Sequence, residues 1–287
     1  MKILTIGRVG QLGTELARQC PAGCTMVSLD LPEIDLTDPE STAAQVAAAD
    51  ADLVINAAAY TAVDKAESEE GLARAINAEA PAAMAKAAAA KGVPFLHVST
   101  DYVYDGTGTA PFTPDSPTDP LNAYGRTKLA GDLGVIAAGG PHAVLRTSWV
   151  FSAHGGNFVK TMLRLGRDRD KLTIVADQIG GPTAAADIAG ALLTIAHAFH
   201  AGRGQSGTYH FSGAPDVSWA GFAREIFAQA GLSCAVEDIP TSAYPTPAQR
   251  PANSRLDCSS LETNFGIPRP DWRTSLADVL EELGERA

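Results

Sequence analysis

Basic residues are in short supply in this chain. Its 22 Lys and Arg stand against 33 Asp and Glu, which gives a formal net charge of −11, and no run of basic residues compensates this charge locally. An acidic surface repels both phosphate backbones and anionic lipid headgroups. We therefore expect neither nucleic acid nor a membrane as a partner.

Long hydrophobic runs are also missing. No apolar stretch reaches membrane-spanning length, and the apolar segment at the N-terminus is too short for the hydrophobic region of a signal peptide. These features predict a cytoplasmic location. The chain has 287 residues, of which 45% are hydrophobic, and this is enough to fill a globular core.

Cysteine and histidine occur without the spacings that bind metals. The four cysteines are Cys20, Cys24, Cys234 and Cys258. The first two are one residue too far apart for a C-x-x-C motif, and the six histidines form no H-x-x-x-H pair. We interpret His97, which lies in an apolar run, as a core residue rather than a ligand. The sequence predicts reduced thiols and no metal site.

A glycine-rich loop near the N-terminus connects a predicted strand, Lys2–Ile6, to a helical pattern over residues 14–18. The loop contains Gly7, Gly10 and Gly13. In this context glycines permit a tight turn and let backbone N–H groups approach a pyrophosphate at the helix N-terminus. We expect these glycines to bind a dinucleotide, and an ordinary βα turn is the alternative.

The next predicted strand ends at Asp30. This is about the distance from the glycine loop at which a carboxylate binds the ribose of NADH. Arg8, inside the loop, is suited instead to the 2′-phosphate of NADPH. The two residues favour different cofactors, so the choice between NADPH and NADH stays open.

A third predicted strand, over residues 52–56, runs into Ala57, Ala58 and Ala59. Small residues at the C-terminal end of a parallel strand leave room for a flat cofactor. We predict that these alanines line the cofactor site, and simple packing is the alternative.

Two stretches carry residues suited to carbonyl chemistry. Thr100 follows an apolar strand, and Tyr124 and Lys128 are four residues apart on one face of a predicted helix. We predict that Thr100 and Tyr124 bond a carbonyl oxygen and that Tyr124 protonates it. Lys128 would bond the nicotinamide ribose and lower the pKa of Tyr124, since an ammonium favours a phenolate. Taken alone, the Tyr-x-x-x-Lys pair is also typical of a surface helix.

Strands and helices alternate strictly up to about residue 150 and less strictly beyond it. This predicts an α/β fold, a Rossmann-like doubly wound parallel sheet with a smaller mixed α/β C-terminal substrate lobe. We place the NAD(P)-binding domain in residues 1–150, with 184–213 returning to it. Residues 151–183 and 214–287 form the predicted substrate lobe. Trp149, at the end of a strand predicted over 142–151, either packs on a sugar ring or fills the core.

Five segments together resemble the extended short-chain dehydrogenase/reductase family, and the resemblance spans nearly the whole chain. They are residues 7–13 (GRVGQLG), 56–67 (NAAAYTAVDKAE), 99–106 (STDYVYDG), 146–150 (RTSWV) and 250–256 (RPANSRL). The resemblance implies reduction of the C4 ketone of dTDP-4-dehydro-L-rhamnose, a nucleotide sugar, by NADPH or NADH.

The same resemblance implies roles for single residues. Thr100, Tyr124 and Lys128 match the catalytic triad of the family. The positions that match sugar contacts are Val63, Asp101, Tyr102 and Trp149. The positions that match cofactor contacts are Gly10, Gln11, Leu12, Asp30, Ala57, Ala58 and Ala59, together with Tyr124 and Lys128.

Some members of the family form a magnesium-bridged dimer through acidic residues. Glu15 matches one of these acids, whereas the turn over residues 182–187 offers Ala185 and Ala186 beside a single Asp187. We therefore do not expect a bridging magnesium ion. A homodimer stays open as an expectation.

Asp101 is followed by Tyr102, where related dehydratases carry a glutamate for their second proton transfer. This favours simple carbonyl reduction, with Tyr102 contacting the substrate. The alternatives are another nucleotide-sugar reductase, an epimerase, and a non-catalytic regulatory subunit similar to that of methionine adenosyltransferase. An intact set of Thr100, Tyr124 and Lys128 argues against the regulatory subunit.

A nucleotide-sugar substrate carries a doubly charged pyrophosphate, which an acidic protein must receive on local cations. Arg250 and Arg255 are the candidates in the C-terminal segment. The alternative is that these arginines pair with acids of the second lobe.

Overall fold

The computed structural model describes residues 1–287, which form thirteen strands and eleven α-helices. The strands are β1 (Lys2–Ile6), β2 (Thr25–Leu29), β3 (Leu53–Asn56), β4 (Phe95–Thr100), β5 (His142–Thr147), β6 (Val150–Phe151), β7 (Lys171–Val175), β8 (Ile179–Gly180), β9 (Thr183–Ala184), β10 (Gly207–His210), β11 (Val217–Ser218), β12 (Ala235–Ile239) and β13 (Asn253–Ser254). The helices are α1 (Gln11–Arg18), α2 (Pro39–Ala48), α3 (Val63–Ala66), α4 (Glu70–Arg74), α5 (Ala80–Ala90), α6 (Ala123–Ala137), α7 (Phe158–Asp168), α8 (Ala185–His200), α9 (Trp219–Gln229), α10 (Ser259–Phe265) and α11 (Trp272–Leu283).

Six strands form the central sheet, in the order β2-β1-β3-β4-β5-β10, and every neighbouring pair is parallel. The chain passes from β1 to β2 on one side and then to β3 on the other side. The carboxyl ends of β1 and β3 therefore flank a crevice, because the connecting chains leave them in opposite directions. This arrangement confirms the predicted doubly wound parallel sheet.

Helices cover both faces of the sheet, and the strands are apolar on both sides for this reason. In β1, Ile3 faces a core cluster with Leu16 of α1 and Leu192 of α8, whereas Leu4 faces a cluster with Met84 of α5. The alternation of side chains along a strand thus fills two separate layers.

A further core cluster lies outside the sheet, among β6, α7, α9 and α11. Its centre is Phe222, which is fully buried and packs against Phe151 and Trp272. The strands β7 and β12 pair in parallel beside it. Two elements beyond residue 150 belong instead to the central sheet and its core: β10 pairs with β5, and residues of α8 pack on the sheet.

The structure departs from the predicted elements at the end of β5. The predicted strand over 142–151 is broken after Thr147, because Trp149 has a φ of 49°, outside the extended region. Between α4 and α5 the chain forms a π-helical turn, Ala75–Glu79. No helix of the chain has the length and apolarity that a membrane crossing requires.

Candidate active site

The glycine loop lies between β1 and α1, at the crevice of the sheet. Gly7 has a φ of 96°, and a Cβ on Gly13 would lie 1.9 Å from the carbonyl oxygen of Gly7. Gly10 precedes α1 and faces open space, and no side chain caps the helix there. Because the first N–H groups of a helix lack internal partners, this end of α1 can receive an anionic group.

Gln11 connects the loop to the second part of the chain. Its side-chain oxygen accepts hydrogen bonds from Ser152 at 3.1 Å and from Asn157 at 3.0 Å. The next residue, Leu12, is buried in the core beneath α1. The backbone of the loop is thus fixed from both sides.

Asp30 folds back onto the glycine loop. Its carboxylate accepts the backbone N–H groups of Arg8 at 2.9 Å, Val9 at 3.2 Å and Leu31 at 2.9 Å. Although burial opposes the change, these N–H groups lower the pKa of Asp30. The Arg8 guanidinium pairs with Glu33 at 3.2 Å, and both side chains are exposed. Asp30 therefore shapes the loop, a role that the sequence analysis did not consider.

The three alanines after β3 lie against the same loop. A Cβ on Gly7 would approach the backbone of Ala58 to 3.0 Å, and Ala57 donates its N–H to Ile6 at 2.9 Å. The chain then reaches Tyr60, whose backbone N–H donates to Asn77 of the π-helical turn at 2.8 Å. The structure thus brings Ala57 and Ala58 beside the glycine loop, at the crevice, and Ala59 follows them directly in the chain.

Thr100 and Tyr124 come together because α6 packs closely on the turn after β4. A Cβ on Gly125 would lie 2.2 Å from the carbonyl oxygen of Tyr102, so only glycine fits. The rings of Tyr102 and Tyr124 meet edge to face at 5.6 Å. The Thr100 hydroxyl donates to the Asp101 carboxylate at 3.0 Å and accepts the backbone N–H of Tyr102 at 3.2 Å.

Lys128 is buried, with 1% of its surface exposed. Its ammonium donates to the carbonyl oxygen of Val98 at 2.8 Å and lies 3.2 Å from Nε2 of His97. Burial lowers the pKa of Lys128 to about 8, although Asp132 opposes this. The lysine is thus a desolvated cation held at the base of the site.

Burial also raises the pKa of Tyr124, and the negative charges of Asp101 and Asp132 add to this effect. Only the neighbouring hydroxyl of Thr100 acts in the opposite direction. The sequence analysis expected Lys128 to lower the pKa of Tyr124, and this was wrong for the free protein. Desolvation of the phenolate is the largest effect, and the ammonium of Lys128 is directed to Val98 instead.

Asp101 lies beneath Thr100 and is almost fully buried. Burial raises its pKa to about 6, while the hydroxyl of Thr100, which donates to it, and the nearby hydroxyl of Ser254 lower it in part. One of its two carboxylate oxygens, Oδ2, has no protein partner. The ionised form of Asp101 is therefore poorly compensated by the protein.

The structure brings only some of the predicted substrate-binding residues together. Arg250 pairs with Asp64 of α3 at 2.9 Å, and both charges act on Tyr102. The side chain of Arg255 instead donates to Asn253 at 3.0 Å. The acid paired with Arg250 thus lies in the first 150 residues, not in the second lobe as the alternative stated. Val63 begins α3, one residue before Asp64.

Trp149 stacks on Trp219, with 3.6 Å between ring centroids and 12° between the planes. Phe158 packs against the same Trp219 at 4.6 Å. Trp149 is half-buried in this aromatic cluster and partly exposed. It can therefore both fill the core and pack on a sugar ring.

Sequence reasoning missed the contacts of Asn56, Asp64, His97 and Trp219. His97 is a buried residue of the sheet, as expected, but it also touches Lys128. A polar residue within an apolar strand, three positions before Thr100, was the available signal. No sequence pattern pointed to the contacts of Asp64 and Trp219, since their partners, Arg250 and Trp149, are far away in the sequence.

A carboxylate cluster lies at the end of α1, where a magnesium ion was considered. Glu15, His154 and Glu282 offer ligand atoms within 4.8 Å of one another. The Arg18 guanidinium occupies this cluster, donating to Glu282 at 2.6 Å and to Glu15 at 3.3 Å, and lies 2.9 Å from His154. These residues do not fit a metal ion, because an arginine already supplies the positive charge.

Nearly the whole chain matches one protein family. Residues 1–285 match the family model described as RmlD substrate binding domain. The chain is 46% identical over 295 residues to the dTDP-4-dehydrorhamnose reductase of Burkholderia thailandensis, covering 99% of both chains. It superposes on the crystal structure of a dTDP-4-dehydrorhamnose reductase from Clostridium acetobutylicum with a TM-score of 0.93, at 36% identity, covering 99% of this chain and 100% of the other.

A second solved relative contains a cofactor. The structure of dTDP-4-dehydrorhamnose reductase from Bacillus anthracis, in complex with NADP, matches with a TM-score of 0.92 and 33% identity, covering 98% of this chain and 99% of the other.

Proposed function

This chain belongs to the family of the RmlD substrate binding domain, and on that premise we propose that it reduces the C4 ketone of dTDP-4-dehydro-L-rhamnose to dTDP-L-rhamnose with NADPH or NADH. The reductase interpretation of the sequence agrees with the names of the relatives. The observation that carries the proposal is the meeting of Thr100, Asp101 and Tyr124 at the carboxyl end of β4, above the buried Lys128.

The cofactor is placed in the crevice between β1 and β3. Gly10 leaves open space there, Gly7 and Gly13 permit the tight turn, and the uncapped start of α1 suits a pyrophosphate. The N–H groups of Gln11 and Leu12 lie at this helix end, and Ala57 to Ala59 form the opposite wall. Asp30 holds the loop and stands near the adenosine ribose.

Tyr124 is the proton donor in this proposal. When bound, the reduced nicotinamide supplies the hydride that adds to the carbonyl carbon. Tyr124 gives its phenolic proton to the carbonyl oxygen, so the C=O bond becomes an alcohol. Burial raises the pKa of Tyr124, and the phenol therefore stays protonated at neutral pH, as a donor must. The Thr100 hydroxyl turns its single hydrogen from Asp101 to the same oxygen as negative charge develops on it.

The nucleotide sugar is placed over the turn after β4 and against the second lobe. Val63, Asp101, Tyr102 and Trp149 surround the sugar in this proposal, and Arg250 receives the pyrophosphate. Arg255 contributes at most indirectly, because its side chain is bonded to Asn253. We assign cofactor binding to residues 1–150 and 184–213, and substrate binding to 151–183 and 214–287.

The location and partners follow from composition. We propose a cytoplasmic protein with no nucleic-acid or membrane partner, on the grounds of a net charge of −11 and no membrane-length helix. A homodimer stays a proposal without a defined interface.

The test is the fall in nicotinamide absorbance when the purified protein meets enzymatically generated dTDP-4-dehydro-L-rhamnose, with NADPH and NADH assayed separately. We expect turnover by the wild type and a loss of about 10³-fold or more in kcat for Tyr124→Phe. Tyr244→Phe is the matched control, because Tyr244 is 61% exposed and outside the site. No turnover by the wild type, or an unchanged rate for Tyr124→Phe, overturns the proposal.

A further inference from the structure

His97 is a fully buried histidine that contacts the lysine of the site from below. It lies in β4, with Nε2 at 3.2 Å from Nζ of Lys128 and Nδ1 at 3.1 Å from the side-chain amide of Asn56. The carboxylate of Asp132 on α6 stands 3.8 Å from Nε2, beyond hydrogen-bond distance, and pairs instead with Arg146 of β5. Buried polar side chains of this kind need an explanation.

The geometry accounts for the three hydrogens of the Lys128 ammonium. One is donated to the carbonyl oxygen of Val98 at 2.8 Å, and a second points to Nε2 of His97. Lysine has a flexible four-carbon stem, so two fixed acceptors at its tip hold it in one conformation. The third hydrogen is left for a ligand.

His97 can accept this bond because it is neutral. Burial lowers its pKa, and the adjacent Lys128 lowers it further. A neutral imidazole that accepts at Nε2 carries its proton on Nδ1. That proton faces the side-chain amide of Asn56. If the Asn56 amide is rotated by 180°, so that its oxygen and nitrogen exchange places, the oxygen accepts this proton. The rotation removes the hydrogen bond that the oxygen accepts from the N–H of Ala58.

We propose that His97 is a positioning residue for Lys128: its Nε2 fixes the ammonium so that one N–H is directed at the cofactor. The inference rests on the proposed function, because it gives Lys128 a ligand to meet. It adds a residue that acts through the lysine and does not itself reach substrate or cofactor. The arrangement includes the reversed Asn56 amide, because in the orientation with its nitrogen towards Nδ1 the imidazole would accept at Nδ1 and not at Nε2.

Two substitutions of similar polarity separate positioning from packing. In His97→Gln the side-chain oxygen reaches the place of Nε2, whereas in His97→Asn the shorter side chain places its oxygen near Nδ1, out of reach of Lys128. We expect His97→Gln to keep kcat within a few-fold of the wild type. His97→Asn should lose about 10²-fold in kcat, the cost of a reactive group misplaced by about 1 Å.

The pH profile gives a readout that a merely structural role would not move. An ammonium that has lost an acceptor gives up its proton more easily. The alkaline limb of kcat/KM should therefore shift to lower pH in His97→Asn and stay in place in His97→Gln. Melting temperatures of both variants measure any loss of packing separately.

The outcomes are distinct. If the wild type does not oxidise NADPH with the nucleotide sugar, the proposed function fails. If the wild type turns over and the two variants, once folded, have equal kcat and equal alkaline limbs, the positioning role of His97 is wrong. ¹⁵N NMR of the wild-type imidazoles needs no variant: we expect His97 protonated on Nδ1, and a proton on Nε2 overturns the proposal.

Discussion

The guanidinium of Arg250 lies 2.9 Å from the carboxylate of Asp64 and connects the C-terminal segment to the start of α3. Asp64 also accepts the backbone N–H of Ala248 at 3.2 Å. The arginine that we assign to the substrate pyrophosphate is therefore partly neutralised before any substrate binds. An anionic ligand must compete with Asp64 for it.

This relationship predicts opposite effects from its two partners. Arg250→Gln should raise KM for the nucleotide sugar by about 10- to 100-fold, since charge-assisted hydrogen bonds contribute about 1.5–3 kcal/mol. Asp64→Asn should lower this KM or leave it unchanged, because the competing charge is gone. Steady-state kinetics and NADPH titration of both variants check this, and Arg255→Gln serves as the control. A raised KM in Asp64→Asn would mean that the ion pair itself shapes the site.

The alkaline side of the pH profile should report Lys128. Its pKa is lowered to about 8 by burial, while the pKa of Tyr124 is raised by burial. As pH rises through about 8, Lys128 loses its charge first, so kcat/KM for NADPH, which reports the free enzyme, should fall there. Lys128→Arg should lower kcat but move the limb to higher pH, because a guanidinium stays charged. If the alkaline limb does not move in Lys128→Arg, the group that titrates there is not Lys128.

Asp101 should make stability depend on pH. Its folded pKa of about 6 lies above its ordinary value of 3.8, so ionisation destabilises the fold. Stability is lost as pH rises from about 4 to about 6, and the cost of up to about 3 kcal/mol persists at higher pH. Asp101→Asn should therefore stabilise the protein more at pH 7.5 than at pH 4 in denaturant unfolding. The exposed Asp115→Asn is the control and should show no such difference.

Magnesium should have no effect on the wild type. Arg18 occupies the cluster of Glu15, His154 and Glu282, so millimolar Mg²⁺ or EDTA should change neither the melting temperature nor the sedimentation coefficient. Arg18→Ala leaves the two carboxylates without their cation and should acquire Mg²⁺-dependent stabilisation. Stabilisation of the wild type by Mg²⁺ would show that the arginine yields to the metal.

The sequence predicted most of the fold because its local signals agree with one another. The strand Lys2–Ile6, the glycines after it and the helix that follows each indicate the same βα unit. The short strands β8, β9 and β13 were not predicted, since two-residue strands exist only through their partners and have no periodicity of their own.

The candidate site divides in the same way. The residue types of Thr100, Tyr124 and Lys128, and their order after a strand and on a helix, are written in the sequence, and they carried the prediction of carbonyl reduction. Their protonation was decided by tertiary structure, because burial is a property of packing: it raises the pKa of Tyr124 and lowers that of Lys128. Likewise only the fold could bring His97 to Lys128 and Asp64 to Arg250, since no local pattern encodes contacts between residues so far apart in the chain.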